Sequence, residues 1–313
     1  LFSITLLTGS IWQVYGRLVN RTEESMKAQC ALYFGVFKIR IGLVIMASAL
    51  VGIAITPGPA LTGTQTMILA LTVLGASAAA GAFNQLVERD LDALMKRTAN
   101  RPFVTGRLRA GPLWYFIIFA LLSVSVGTAF YALNGASALY VFLGAFVYGI
   151  VYTLWLKRRT VWNIVIGGLS GSFAVLAGAA AVDPGLSAAS LGLAVVLFLW
   201  TPPHFWSLAV VMREDYTQAG IPMLPSLIDE RSTAWAILIS TVGLVVTSMM
   251  LTMYGMGWPY WLMAAAGGSY FLFCSVQYVR VPSRETAMKN FFASLVQLSL
   301  LFIGVFLSVM IGP

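Results

Sequence analysis

The sequence predicts an all-α integral membrane protein with nine spanning helices, and three observations carry that reading. The chain is 59% hydrophobic and only 10% charged over 313 residues, outside the balance of a soluble domain. Its uncharged runs approach the roughly 20 residues that cross a bilayer as a helix. All 19 Lys and Arg fall in the N-terminal segment or in every second loop between those runs. The runs lack the strict alternation of barrel strands, and a lipid-embedded chain must be helical or a closed barrel.

In chain order the expected spans are 39–56, 65–87, 113–133, 136–156, 161–182, 186–212, 232–254, 258–279 and 290–311. Small residues recur inside them, as in Ala76–Gly81 and Ala177–Ala181, which lets neighbouring helices approach closely. Ahead of the first span, residues 1–16 are apolar but short, with Arg17 and Arg21 after them rather than before. That order is the reverse of a signal peptide. An interfacial helix or the tail of a truncated span is expected there, within an N-terminal segment 1–34 that precedes a helical domain 35–313.

Topology follows from the basic residues. The loops 57–64, 134–135, 183–185 and 255–257 carry only Asp183, whereas the opposite loops hold all the positive charge. The positive-inside rule places the basic loops in the cytoplasm, or in the matrix of a mitochondrion. A missing or extra span would scramble this sorting. The net charge of +8 is thereby accounted for by topology, with no nucleic acid as partner. Cys30 and Cys274 lie in or beside apolar segments and suggest neither a disulfide framework nor a zinc site.

Two of the basic loops also carry acids. Residues 84–109 follow a charge-free run and contain Glu88, Asp90 and Asp92 among six Lys/Arg. If the helix of span two continues to Asp92, each fourth residue advances by about 40°, so Asn84, Glu88 and Asp92 share one face. Asp90 lies about 200° from Glu88 and is the weaker candidate. An amide and two carboxylates stacked at a span's end suit a hard divalent cation, and Mg²⁺ takes oxygen ligands while keeping waters and substrate phosphates in its shell. Basic residues just beyond suit the phosphates. The same cluster is also what an ordinary charged juxtamembrane loop would show.

The second acidic station is Glu214 and Asp215, after Thr201-Pro202-Pro203-His204-Phe205-Trp206. The Pro-Pro pair is expected to break or kink the helix ahead of His204, the sole histidine. Eleven residues separate His204 from Asp215, about three turns, so both face one way if the helix continues. An ionisable side chain inside a span is a functional candidate by default, and a histidine hydrogen-bonded to a neighbouring helix is the plainer alternative.

Two acidic stations on inner loops, after spans two and six, resemble the paired Asp-rich motifs of the UbiA-type intramembrane prenyltransferases. Asn84-x₃-Glu88-x-Asp90-x-Asp92, with Lys96-Arg97-Thr98 and Arg101-Pro102, is similar to the first motif. Lys157-Arg158-x-Thr160-x₂-Asn163 resembles the middle segment. Thr201–Trp206 with Asp215-Tyr216 and Ala219–Pro225 resembles the second motif of the branch that farnesylates heme. The likeness spans roughly residues 35–311, with three departures. Glu88 stands where Asp is commoner, Lys38-Ile39-Arg40 where Lys-Pro-Arg is usual, and Phe173-Ala174-Val175 where a proline pair is typical.

The resemblance implies nine helices around a central cavity and a Mg²⁺-dependent transfer of farnesyl from farnesyl diphosphate to a vinyl group of heme b. It implies Asn84, Glu88, Asp92 and Asp215 at the metal–diphosphate site, with Asp90 and Glu214 in support. Arg97, Arg101, Lys157 and Arg158 would contact the diphosphate, and His204 and Arg40 the heme. Heme b is then a substrate, the bilayer the setting, and the next heme-modifying enzyme a partner. A bacterial or archaeal cell membrane, active site toward the cytoplasm, is the expected location. A relative acting on an aromatic or quinone-precursor acceptor would share the first motif but not the segment around His204. A transporter would show inverted repeats and charges deep in several spans, and neither is visible.

Overall fold

The computed structural model describes residues 26–312, which are helical with no strand among them. The segment 1–16 expected at the interface lies outside the described residues. Helix α1 (Met26–Val36) bends by 53° into α2 (Ile39–Ile55). Then follow α3 (Gly63–Val87), α4 (Arg89–Leu94), α5 (Pro112–Ala132) and α6 (Gly135–Phe146), the last running on as a π-helix over Val147–Leu156. The remainder comprises α7 (Asn163–Gly167), α8 (Leu169–Val182), α9 (Ala188–Val211), α10 (Arg213–Gln218), α11 (Leu224–Leu227), α12 (Glu230–Met250), α13 (Trp258–Arg280) and α14 (Arg284–Ile311). Among the described residues eight helical stretches are long and apolar enough to span, with α7 and α8 together making one, and nine if the bent pair α1–α2 is one span. The nine expected spans map onto these in order.

Local chemistry sets the helix starts. Thr62 with Gln65 and Ser283 with Thr286 form capping boxes, while Asn134, Ser187 and Asp229 each accept the N–H three residues on. Each cap satisfies donors that the first turn leaves free. The Ser283 cap also explains one shifted boundary. The last span, expected from 290, begins at Arg284, because its polar first turn is held by the cap and by Lys289–Glu285 at 2.7 Å.

The expected break at Pro202-Pro203 does not occur, and α9 runs unbroken through both prolines. Two missing donors free only two carbonyls, and nearby hydroxyls add local bonds, Thr201 Oγ1 to the Leu197 carbonyl and Ser207 Oγ to that of Pro203. Packing supplies the rest, as membrane helices permit. The continuation from His204 to Asp215 is also corrected. Helix α9 ends at Val211, Met212 adopts φ −104°, ψ 21°, and α10 starts afresh.

The bundle closes on itself. Helix α2 packs on α3 and α8, α3 on α5 and α6, α6 on α8, α8 on α9, and α9 on α12 and α14, with α14 returning to α2. Two apolar clusters hold it. One joins α2, α8, α9, α13 and α14 around Val175, Leu193, Tyr260 and Phe271. The other joins α2, α3, α5, α6 and α8 around Ala49, Leu69, Ala138 and Ala177. A smaller cluster of Leu91, Met95, Ile164, Tyr216, Ile221 and Met223 packs the two acidic loops against each other. That third cluster brings the stations together.

Candidate active site

A cavity of about 770 Å³ opens inside the bundle. Most of its wall is apolar, with Val44, Val73, Tyr140, Leu197, Trp200 and Leu298 from five different helices. Its polar end lies where α3, the π-helix and α9 reach the basic loops, and there Asn84, Glu88, Asp92, Arg97, Arg101 and Lys157 line it.

The expected one-face stack is present although α3 does not run straight through. Glu88 breaks the helix at φ −97°, ψ 18°. The i to i+4 bonds nonetheless persist, Glu88 N–H to the Asn84 carbonyl at 3.1 Å and Asp92 N–H to that of Glu88 at 2.8 Å. All three side chains are buried, Asp92 completely at 0% exposure.

Each rung of the stack meets a cation from elsewhere in the chain. Lys38 Nζ donates to Asn84 Oδ1 at 2.5 Å. Lys157 Nζ reaches Glu88 Oε2 at 2.5 Å, and Arg101 reaches Asp92 Oδ2 at 2.6 Å. The π-helix, a distortion frequent at functional sites, ends at the residue before Lys157 and also carries Thr153, which accepts from Asn84 Nδ2 at 3.0 Å. Burial pushes the Lys157 ammonium below its usual range, and Glu88 beside it pulls it back up. Tyr216 lines the same end; burial raises its phenol, and the Arg97 guanidinium donates to the phenol oxygen.

The second oxygen of each carboxylate, Glu88 Oε1 and Asp92 Oδ1, is buried without a hydrogen-bond partner. A buried carboxylate oxygen so placed is costly unless something binds it. Two such oxygens on neighbouring rungs form a donor set of the kind a hard divalent cation takes. The residues present therefore fit Mg²⁺.

Four other expected site residues, Asp90, Arg158, Glu214 and Asp215, lie outside the cavity wall. Asp90 forms a two-pronged pair with Arg158 at 2.7 and 2.8 Å on the surface, and the Arg158 hydrogen bond holds the Asp90 carboxyl below the usual range. Glu214 is exposed, 3.8 Å from Lys96. Asp215 is buried but accepts the backbone N–H groups of Lys96 and Arg97, both at 3.3 Å. It thus ties the second station to the loop that carries Arg97 and Arg101. Arg40 lines the cavity from α2 and is exposed.

His204 lines the cavity, sandwiched between Trp200 and Phe291 at centroid distances of 4.0 and 4.6 Å. Its Nδ1 is 2.7 Å from Ser294 Oγ, and that hydroxyl donates to the Phe291 carbonyl at 2.6 Å. The single hydroxyl proton is thereby committed, so Ser294 accepts from Nδ1–H. The hydrogen-bond network assigns the tautomer, leaving Nε2 with its lone pair.

Tyr148, Trp200 and Ser294 were not singled out from the sequence, and Lys38 only as part of Lys38-Ile39-Arg40, with no role given to it. A lysine one residue before a span reads as a topology signal, and a serine within α14 as a packing residue. Only the aromatic spacing of Trp200 and His204, one turn apart, was there to be read.

The sequence model of the UbiA prenyltransferase family matches residues 45–303. Protoheme IX farnesyltransferase 2 of Paramagnetospirillum magneticum is 55% identical over 280 residues, covering 90% of this chain and 97% of the relative. Protoheme IX farnesyltransferase of Gloeobacter violaceus is 37% identical, covering 92% and 95%. A solved structure concerned with digeranylgeranylglyceryl phosphate synthase superposes with a TM-score of 0.76 at 14% identity, covering 91% of this chain and all of that one. A UbiA homolog from Archaeoglobus fulgidus bound to GPP and Mg²⁺ gives 0.65 at 16% identity, covering 88% and 99%.

Proposed function

The chain belongs to the UbiA prenyltransferase family, and from that premise we propose that it transfers farnesyl from farnesyl diphosphate to a vinyl group of heme b, as a heme O synthase. One observation carries the reading beyond the family. A buried carboxylate stack with unpartnered oxygens and flanking cations sits at one end of a large apolar cavity, with a buried histidine on the wall. Relatives named protoheme IX farnesyltransferase support heme as acceptor. The catalytic unit is residues 35–313, in a bacterial cell membrane with the polar end toward the cytoplasm, as the positive-inside rule indicates.

The chemistry asks the protein to make a carbon electrophile inside a membrane. As the allylic C–O bond breaks, its electron pair leaves on the diphosphate. Arg97, Arg101 and Lys157 receive that growing charge in a site where their donors are fixed in advance. Glu88 and Asp92 would hold Mg²⁺, which when bound would supply Lewis-acid neutralisation of the diphosphate charge. Asp215 holds the Arg97 backbone in place. The aromatic wall of Tyr140, Tyr148 and Trp200 keeps water from the allylic cation and offers it π faces. The vinyl π electrons form the new C–C bond, and water adds to the heme-side cation with loss of a proton. No Ser, Cys or Lys nucleophile is needed.

Purified protein incubated with heme b, farnesyl diphosphate and Mg²⁺ should yield a product heavier than heme by one farnesyl group and one hydroxyl group, read by mass spectrometry. Farnesylation of an aromatic acid or quinone precursor in place of heme would overturn the acceptor.

Among the basic residues the expected results differ by placement. Arg101→Lys, which loses the two-pronged donor, should weaken farnesyl diphosphate binding about 10-fold or more, an effect typical of one lost charge-assisted contact. Arg158→Gln should leave it within about 2-fold, as expected for an exposed pair. Titration calorimetry checks both, and equal losses would return Arg158 to the diphosphate site.

His204 is assigned to the heme side, where Nε2 can ligate iron or accept a hydrogen bond from the finishing water. If it ligates, His204→Ala shifts the Soret band and weakens heme binding while farnesyl diphosphate binding stays intact. Lost turnover with an unshifted band identifies the hydrogen-bonding role. Unchanged spectra and turnover together would remove His204 from the site.

A further inference from the structure

The break between α1 and α2 is built around one side chain. Lys38 takes φ 49°, ψ 41°, a left-handed conformation that is strained for a residue with a Cβ. Gln85 Nε2 accommodates the break by donating to the Gly35 carbonyl at 2.7 Å and that of Val36 at 3.3 Å. Gly81 leaves room for the lysine stem, since a Cβ there would lie 3.2–3.3 Å from Lys38 Cβ, Cγ and Cδ. The ammonium arrives at Asn84 Oδ1 and at Tyr148 Oη, 3.0 Å away. Strain, a cap and a missing side chain all serve to deliver one positive charge to the metal end of the cavity.

We propose that Lys38 guards the metal site and binds diphosphate: it occupies the amide oxygen of Asn84 until a diphosphate draws it away, so that metal and diphosphate bind together. This rests on the reading of the cavity as a metal–diphosphate site. Charge supplies the reason. Three cations, Lys38, Lys157 and Arg101, face two carboxylates, Glu88 and Asp92. A divalent cation entering alone meets an excess of positive charge, and the amide oxygen of Asn84 is already engaged by Lys38, so only the unpartnered oxygens of Glu88 and Asp92 are open to it. A diphosphate entering alone meets two buried carboxylates. When both enter, the Lys38 head turns to a phosphate oxygen and releases Asn84 Oδ1 to the metal. Low local polarity makes each of these terms large. Linkage then requires each ligand to tighten the other by the same factor.

The test uses the full-length protein in detergent, with Mn²⁺ followed by electron paramagnetic resonance and inorganic pyrophosphate as the second ligand. Pyrophosphate should tighten Mn²⁺ binding by about 10-fold or more, within the usual range of coupling between sites. In Lys38→Met, which nearly conserves volume, Mn²⁺ alone should bind more tightly than in wild type, and the coupling factor should fall several-fold. Gly81→Ala, which pushes the lysine stem without removing charge, should shift both quantities the same way by less. Arg158→Gln is the control and should leave the coupling unchanged. Coupling equal in wild type and both Lys38→Met and Gly81→Ala, with Mn²⁺ and pyrophosphate still binding, would overturn the guard while leaving the site. Absence of Mn²⁺ and pyrophosphate binding in wild type would overturn the site reading and the guard with it.

Discussion

Replacing Asp92 by Asn should lower farnesyl transfer by at least about 10²-fold, the scale of losing one preorganised electrostatic contact to a reacting group. The substitution is nearly isosteric, so the packing around a fully buried side chain survives. What is lost is charge in two places. The unpartnered Oδ1 no longer offers a carboxylate to a divalent cation, and Oδ2 no longer balances Arg101 at 2.6 Å. Arg101 would then bind diphosphate in the ground state without the opposing carboxylate that keeps it in register. Single-turnover rates with saturating farnesyl diphosphate read the effect on chemistry rather than on binding. Asp183→Asn, on the opposite side of the bundle, should stay within about 2-fold, as surface changes away from a site do. Comparable rates for the two variants would remove the stack from catalysis.

Gly178→Val should prevent or severely weaken folding. Helices α2 and α8 approach so closely that a Cβ at Gly178 would sit 1.8 Å from the Ala49 carbonyl oxygen. From the other side, a Cβ at Gly52 would sit 2.2 Å from the carbonyl oxygen of Val175. Ordinary overpacking costs about 1–3 kcal/mol because side chains can shift. Here the obstacle is backbone on both sides, so the helices must separate, and α8 is packed against α6 and α9 as well. The same two helices supply cavity wall through Val44, Ile45 and Ser48 on one and Ala174 and Ala177 on the other. A lower yield of folded protein and a large drop in Tm in detergent are therefore expected. Gly243→Ala, where nothing lies within 4 Å, should leave Tm unchanged or slightly raised, as helix propensity favours alanine. A Gly178→Val protein with wild-type Tm would mean that the small-residue seam does not set the packing.

Sequence alone determined the helical class, the order of spans, the sorting of basic residues into alternate loops and one face of the candidate site. These are properties of the chain taken locally. Bilayer thickness fixes run length, the membrane sorts positive charge, and the helical period stacks Asn84, Glu88 and Asp92 even across the irregular residue Glu88. Tertiary structure decided which cation meets which rung. Lys38 lies 46 residues from Asn84 and Lys157 lies 69 from Glu88, and Ser294 lies 90 from His204. No local period links such positions. Their meeting depends on how α2, the π-helix and α14 pack, and that depends on glycines such as Gly81 and Gly178 that carry no chemistry of their own. The acids of the second station show the same limit in reverse. Asp215 has the residue type of a ligand, but the restart of the helix at Arg213 turns it toward the backbone of Lys96 and Arg97. Across that one-residue break at Met212, the carboxylate of the second station clasps the backbone of the first.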